Sequence, residues 1–249
     1  MATHLSKPAL LFQLLRSLIY NIVYTSTVVL FGIFICSIAP FNPRISRWFF
    51  IKWSNFNLWS LKVICNLKYK LEGTENIPNK PVVIMPKHQS TFETMALPTF
   101  FPQHAWVVKK ELMKIPFFGW GLKALRSIAI DRTAGIKSLR MIAKQGEERL
   151  KDDLSIIIFP EGTRTEPGTK PDYNIGGAFL AKKNCVEVLP IAHNAGDFWG
   201  KSSFLKKPGT IIIRVGKLIE TESHTAEEIK IRTRDWIESN MQEISDSYK

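Results

Sequence analysis

Residues 81–93 read Pro-Val-Val-Ile-Met-Pro-Lys-His-Gln-Ser-Thr-Phe-Glu, and this stretch decides how the rest of the chain is arranged. Its first part, residues 81–85, is continuously apolar, which predicts a short strand covered on both faces. The following loop carries His88 and Glu93. Ligands of open α/β sheets bind at the carboxyl ends of the strands. The stretch therefore predicts a functional loop at the edge of a sheet.

His88 and Glu93 flank the predicted start of a helix, which Ser90 or Thr91 can cap and which Pro98 is expected to kink or end. Side chains in a first helical turn lean back, so Glu93 can reach the imidazole. A carboxylate on one ring nitrogen leaves the other nitrogen to act as a general base. The spacing equally fits a capping box, in which the carboxylate only satisfies a backbone N–H. The two roles are compatible, and both remain open.

A second apolar run, residues 154–159, leads into a loop of small and charged residues: Pro160, Glu161, Gly162, Thr163 and Arg164. Gly162 allows the backbone to approach a ligand closely. Arg164 presents a planar fork that matches phosphate or carboxylate. A third apolar run ends in Asp131 and Arg132, and Arg132 offers a second phosphate contact. We expect the His88 loop and the loop of residues 160–164 to face one crevice.

In their order, these motifs resemble the 1-acyl-glycerol-3-phosphate acyltransferase family, which carries His-x4-Asp and then Phe-Pro-Glu-Gly-Thr-Arg. Residues 159–164 match the second motif letter for letter. The resemblance spans about residues 65–220, and the further similar stretches are residues 109–112, 115–120, 130–132 and 188–194. One departure is Glu93, where most of the family has Asp. This puts the hydrogen-bond geometry in question and leaves the role of the acid unchanged.

The resemblance implies transfer of a fatty acyl group to the sn-2 hydroxyl of 1-acyl-glycerol-3-phosphate (lysophosphatidic acid), giving phosphatidic acid. His88 is then the general base and Glu93 orients it. The co-substrate is acyl-CoA or acyl-ACP, the latter carried by acyl carrier protein, and no further cofactor and no metal is expected. The residues that the resemblance assigns to substrate binding are Lys109, Lys110, Arg132, Glu161, Gly162, Thr163 and Arg164.

Two other functions remain open. The first is the same chemistry on another lyso-lipid, either a lysophospholipid or an aminolipid. The second is a non-catalytic module that binds acidic membrane lipids through arginines, although such a module has no use for the His88 and Glu93 pair. A metal hydrolase is disfavoured, because the pair lacks a third ligand at a recognisable spacing.

The composition points to an acidic partner. The 249 residues carry a formal net charge of +12. No zinc-finger spacing or RNA-binding motif indicates a nucleic acid, so anionic membrane lipids and phosphorylated substrates are the expected partners. Cys36, Cys65 and Cys185 show neither a disulfide framework nor metal-ligand spacing, and we interpret them as inert packing residues.

The amino-terminal segment is expected to associate with a membrane. Residues 17–43 contain no charge. As a helix, residues 18–41 would reach about 36 Å, enough for a hydrocarbon core of about 30 Å. A signal peptide is disfavoured by the length of the run and the lack of a cleavage site. Polar residues such as Asn21 leave open a helix embedded in one leaflet. More basic residues follow the run than precede it, which predicts that the catalytic domain lies on the cytoplasmic side, at the inner membrane in a bacterium.

Residues 44–66 interleave aromatic and basic side chains, which is typical of a helix at a membrane interface, although a core helix has the same composition. We therefore predict a membrane-associated helical hairpin over residues 1–66 and a catalytic domain over residues 67–249. In the latter, strands near residues 68–72, 82–85, 105–108, 127–131, 155–159, 187–192 and 210–215 alternate mostly with helices. This pattern predicts an α/β fold with a mixed, largely parallel sheet and helices on both faces.

Overall fold

The computed structural model describes residues 7–38, 41–116, 118–131 and 135–249. Its helices are α1 (Lys7–Ile38), α2 (Pro43–Cys65), α3 (Phe92–Phe100), α4 (Phe118–Ala124), α5 (Ile136–Lys151), α6 (Gly176–Lys183), α7 (Ala195–Phe198) and α8 (Ala226–Ile244). Its strands are β1 (Leu67–Glu72), β2 (Val83–Pro86), β3 (His104–Lys109), β4 (Ile128–Ile130), β5 (Ser155–Ile157), β6 (Val188–His193) and β7 (Gly209–Val215).

The seven strands form one sheet in the order β1-β7-β6-β2-β5-β3-β4, with β2 at its centre. Neighbouring strands are parallel except where β6 pairs with β7. The strands β6, β2, β5, β3 and β4 therefore run in one direction, and their carboxyl ends meet at one edge of the sheet. The predicted mixed, largely parallel α/β sheet is confirmed.

Both faces of the sheet are buried at the inner strands β2 and β5, which explains why their sequences are continuously apolar. Side chains alternate between the two faces of a strand. Val82 and Ile84 lie in the core cluster that includes residues of α1, α2 and α3. Val83 and Met85 lie in the opposite cluster, with residues of α5, α6 and α8. Helices cover both faces, as the sequence predicts.

Helix α3 does not end at Pro98, although an end there is one of the two effects that the sequence predicts for this proline. It continues to Phe100, and the Phe101 N–H then donates to the Leu97 carbonyl. Proline lacks the N–H that bonds one turn back. Pro98 lies in the last turn of α3, where the helix tolerates the loss of this one hydrogen bond.

Helices α1 and α2 form an antiparallel pair that shares a core with the sheet. Tyr20 of α1 and Leu61 of α2 are fully buried in the same cluster as Ile84 of β2. Helix α2 ends at Cys65 and β1 begins at Leu67, close to the predicted boundary. The division of the chain into two units stays a prediction, and the hairpin shares a hydrophobic core with the sheet.

A polar stripe on α1 explains why this apolar helix packs on the sheet domain. Gln13, Ser17 and Asn21 recur at every fourth position and meet Lys206, which lies before β7. The Lys206 N–H donates to the Ser17 hydroxyl at 3.0 Å, and the Gln13 amide donates to the Lys206 carbonyl. The buried Lys206 ammonium donates to the Asn21 side-chain oxygen. Burial lowers the pKa of this ammonium to about 8.

The opposite side of the hairpin is apolar and exposed. Residues 8–35 form a helix that is long and apolar enough to cross a membrane. The larger exposed apolar side chains of the hairpin include Leu11, Phe12, Ile22, Leu30, Phe34, Trp48, Phe56, Trp59 and Val63. A monomer rarely exposes so large an apolar patch without a partner surface. The patch supports association of this protein with a membrane.

We predict that Asn21→Leu weakens the attachment of α1 to the sheet domain. The substitution leaves the buried Lys206 ammonium without its side-chain oxygen partner, which should cost about 1–3 kcal/mol. Ser26→Leu is the matched control, because Ser26 lies on the exposed side of the same helix. Thermal unfolding in detergent should show a lower melting temperature for Asn21→Leu alone. Equal melting temperatures for the two variants would contradict this account of the stripe.

Candidate active site

The candidate site lies at the edge where the parallel strands end. The loop after β2 supplies His88, and the loop after the neighbouring strand β5 supplies Glu161 to Arg164. The residue Lys109 ends β3, and His193 ends β6 on the other side of β2. The two loops that the sequence predicts to share a crevice are therefore adjacent.

The His88 ring is fixed by two contacts. Its Nδ1 lies 2.8 Å from Oε1 of Glu93. Because a carboxylate only accepts, Nδ1 carries the proton and Nε2 keeps its lone pair in the neutral ring. The ring also stacks on Phe159, with centroids 3.7 Å apart. The His88 side chain is 16% exposed whereas that of Glu93 is 1% exposed, so substrate can reach the imidazole and not the acid.

Glu93 also binds the backbone of its own loop. Its Oε1 accepts the N–H groups of Gln89 at 3.0 Å and Ser90 at 2.8 Å. The Ser90 hydroxyl accepts the Phe92 N–H at 3.1 Å, while Thr91 makes no side-chain cap. The carboxylate thus makes the backbone contact of the capping-box hypothesis and the imidazole contact of the general-base hypothesis.

His193 supports this pair from the interior. Its Nε2 donates to the Lys87 carbonyl at 2.7 Å and lies 4.0 Å from Oε2 of Glu93. Burial lowers the pKa of His193, and the facing Glu93 carboxylate opposes this effect. Burial raises the pKa of Glu93, but the facing His193 and the donors from His88 and Ser90 outweigh it, so the pKa falls below its ordinary value. Glu93 is therefore ionised at neutral pH.

Glu161 holds the backbone of His88. Its Oε1 accepts the His88 N–H at 3.0 Å, and its Oε2 accepts the Thr165 hydroxyl at 2.7 Å. The Thr165 N–H in turn donates to the His88 carbonyl at 2.8 Å. The Glu161 side chain is fully buried. A direct contact with substrate, which the family resemblance implies, would require Glu161 to leave these bonds.

The other residues of the second loop lie nearer the surface. Gly162 has φ +73°, a left-handed conformation that favours glycine. Thr163 is exposed, and Arg164 is half-buried. The Arg164 Nη1 donates to the Thr91 hydroxyl at 3.2 Å, which places the guanidinium beside the start of α3. A half-buried arginine next to the His88 loop suits an anionic group of the substrate.

The predicted lysine contacts lie farther along the same edge. Lys109 ends β3 and Lys110 follows it; this strand is two strands from β2 and so about 10 Å away. Lys110 forms an ion pair with Asp131 after β4. Arg132 lies outside the described residues. Among the residues that the structure describes, no three His, Cys, Asp or Glu side chains group as ligands for a metal ion.

An acyltransferase family model matches residues 68–194, which include both loops. The 1-acyl-sn-glycerol-3-phosphate acyltransferase of Pseudomonas aeruginosa is 40% identical over 238 residues, covering 94% of this chain and 93% of that protein. The chain belongs to the 1-acyl-sn-glycerol-3-phosphate acyltransferase family. The yeast Saccharomyces cerevisiae has an acyltransferase of the same name, which is 28% identical and is matched over 74% of this chain and 63% of the yeast protein.

The crystal structure of the acyltransferase PlsC from Thermotoga maritima has the same fold. It superposes with a TM-score of 0.76 at 22% identity and covers 93% of this chain and 95% of that one. The structural similarity therefore includes the amino-terminal helices of the present chain as well as its sheet. The family resemblance that the motifs indicated is confirmed.

We predict that the buried carboxyl of Glu161 makes the folding stability of the protein depend on pH. Burial raises its pKa to about 7, against an opposing effect of Lys87. In the unfolded chain the carboxyl titrates near pH 4.3. Between these values the folded state holds a proton on Glu161 that the unfolded state has lost, so the contribution of Glu161 to stability falls as the pH rises. The melting temperature of Glu161→Gln relative to wild type should therefore increase from pH 5 to pH 7 and then level off. A constant difference across this range would rule out the raised pKa.

Proposed function

We propose that this protein transfers a fatty acyl group from acyl-CoA or acyl-ACP to the sn-2 hydroxyl of 1-acyl-glycerol-3-phosphate, forming phosphatidic acid. The observation that carries the proposal is the 2.8 Å contact between His88 Nδ1 and Glu93 at the carboxyl edge of the sheet. Membership of the family supports acyl transfer. The names of the bacterial and yeast relatives support the choice of acceptor.

His88 is the general base in the proposed reaction. Its Nε2 takes the proton of the acceptor hydroxyl while the hydroxyl oxygen attacks the thioester carbonyl. The resulting imidazolium is stabilised by Glu93, which is ionised and already bonded to Nδ1. Collapse of the tetrahedral intermediate forms the ester and expels the carrier thiolate, which recovers the proton from His88. The base is then ready for another cycle.

Direct transfer, without an acyl-enzyme, fits the positions of the described thiols. Cys65 is buried at the end of α2, and burial raises the pKa of its thiol to about 11. Cys185 is exposed in the turn before β6, at the edge of the sheet opposite His88. A nucleophilic cysteine needs a thiolate close to the reacting carbonyl. Neither thiol meets this requirement.

Arg164 is the best-placed group for the phosphate of the acceptor. It lies beside Thr91 at the start of α3, in the loop next to His88. A guanidinium can bind a phosphate through two parallel N–H donors. Lys109 extends the positive charge along the edge, and Lys110 adds to it while it pairs with Asp131. A phosphate contact of Arg132 stays a prediction from the sequence. We assign the phosphate to this side of the crevice.

The hairpin is proposed to lie in one leaflet, on the cytoplasmic side, and not to cross the bilayer. Both ends of the hairpin contact the sheet domain: Arg47 donates to the His104 carbonyl at 2.7 Å, and Gln13 reaches Lys206. A crossing hairpin would draw the charged domain into hydrocarbon, which is costly. Exposed Lys52 and Lys62 on α2 suit anionic lipid headgroups.

We predict that Glu93→Gln lowers turnover by orders of magnitude, because a neutral amide keeps the shape but cannot stabilise the imidazolium. His88→Ala should remove nearly all activity. Glu93→Asp should keep measurable activity, because most of the family has Asp at this position. Steady-state kinetics and melting temperatures of the three variants are the measurements. A fully active, stable Glu93→Gln enzyme would show that the carboxylate only caps the backbone.

Arg164→Ala should chiefly weaken binding of the phosphorylated acceptor. Loss of a charged bidentate contact costs about 1.5–3 kcal/mol, so the KM for 1-acyl-glycerol-3-phosphate should rise about tenfold or more. Arg234→Ala is the control, because Arg234 is a partly exposed arginine of α8 that pairs with Asp235, far along the chain from the His88 loop. A rise in the KM of the acyl donor alone would place Arg164 on the thioester side instead.

A further inference from the structure

A buried ion cluster lies directly behind the His88 loop. The Lys87 side chain is fully buried, and its Nζ lies 2.7 Å from Oε1 of Glu238 and 3.5 Å from Oε1 of Glu161. The Tyr173 hydroxyl donates to the same Glu238 oxygen at 2.9 Å. Glu238 belongs to α8, beyond the region that matches the acyltransferase family model. The carboxyl-terminal helix therefore reaches the residue next to the proposed base.

The cluster links α8 to His88 through consecutive contacts. Glu238 binds Lys87, Lys87 faces Glu161, and Glu161 accepts the His88 N–H at 3.0 Å. Glu161 uses its other oxygen for the Thr165 hydroxyl, and the Thr165 N–H binds the His88 carbonyl. Any shift of the Glu161 carboxylate would therefore move both peptide groups of His88.

Lys87 has little freedom to move. Its N–H donates to the Ile191 carbonyl at 2.9 Å, and its carbonyl accepts from His193. The Tyr173 and Tyr248 rings lie 6.0 and 5.6 Å from Nζ. Lys87 is thus fixed by β6, α8 and the carboxyl-terminal segment together, and it can act as a rigid support for Glu161.

Stability alone explains this cluster poorly. A buried ion pair often stabilises a protein no more than apolar residues of the same size. The cluster also holds one ammonium against two acids, Glu161 and Glu238, and burial raises the pKa of Glu161 to about 7. Burial lowers the pKa of Lys87, but these two acids outweigh it and keep the lysine charged. The ions are arranged to fix the position of a carboxylate rather than to cancel charge.

We propose that Lys87 and Glu238 are positioning residues for acyl transfer: they hold Glu161, which sets the place of the His88 imidazole relative to the acceptor hydroxyl. This inference rests on the proposed function, because it assumes that His88 is the base. A displaced base still permits substrate binding but reaches the transition state less well. Positioning residues of this kind should therefore affect kcat and leave KM nearly unchanged.

The test compares three variants of the full-length protein on the same helix. Glu238→Ala removes the oxygen that binds Lys87, and Glu238→Gln keeps an oxygen without the charge. Glu243→Gln is the matched control, because Glu243 makes an exposed ion pair with Arg214. Measurements are kcat, KM for acceptor and donor, and melting temperature in detergent.

We expect kcat to fall about 10- to 100-fold in Glu238→Ala with both KM values within twofold of wild type. Glu238→Gln should retain more activity than the alanine variant, and Glu243→Gln should match wild type. Unchanged kcat in Glu238→Ala, or a loss seen only in KM, would overturn the proposal. If Glu238→Ala does not fold, Glu238→Gln decides: a reduced kcat supports the proposal, and wild-type kcat overturns it.

His88→Ala separates the two possible failures. If His88→Ala remains active, the proposed base is wrong and the positioning inference falls with it. If His88→Ala is inactive while folded Glu238→Ala turns over like wild type, only the positioning inference fails.

Discussion

One carboxylate oxygen, Oε1 of Glu93, organises the loop after β2. It accepts N–H groups from the His88 ring and from the backbone of Gln89 and Ser90. A carboxylate that is 1% exposed is tolerated in the interior only when such donors replace water. The loop therefore closes around this oxygen, and the same contacts start α3 and orient the imidazole. The need of this buried oxygen for hydrogen-bond donors therefore explains both the cap of the helix and the orientation of the ring.

The neighbouring strand β5 also helps to fix the position of His88. Because β5 lies beside β2, its loop can bind both peptide groups of His88 through Glu161 and Thr165. Phe159 at the end of the same strand covers one face of the ring. On the other side of β2, His193 of β6 holds the Lys87 carbonyl. Three adjacent parallel strands thus fix a side chain that lies on a loop.

The sequence predicted the parts of the fold that depend on local pattern. Strands buried on both faces are continuously apolar, so β2 and β5 were evident, and the spacing of His88 and Glu93 predicted their contact. Lys87 and Glu238 were not predicted, because a lysine is normally exposed and no local pattern pairs it with an acid 151 residues away. The inward orientation of Glu161 and the partner of Asn21 likewise depend on packing between distant segments. Such contacts cannot be predicted from the local periodicity of the sequence.

The most direct test of this account is an experimental structure of the protein with 1-acyl-glycerol-3-phosphate and an unreactive thioether analogue of the acyl donor. The account predicts that the sn-2 hydroxyl oxygen lies about 2.6–3.2 Å from Nε2 of His88. The phosphate should lie against the Arg164 guanidinium, and the Glu93 contact to Nδ1 should persist. An acceptor hydroxyl bound away from His88, with another side chain in reach of its proton, would contradict the account.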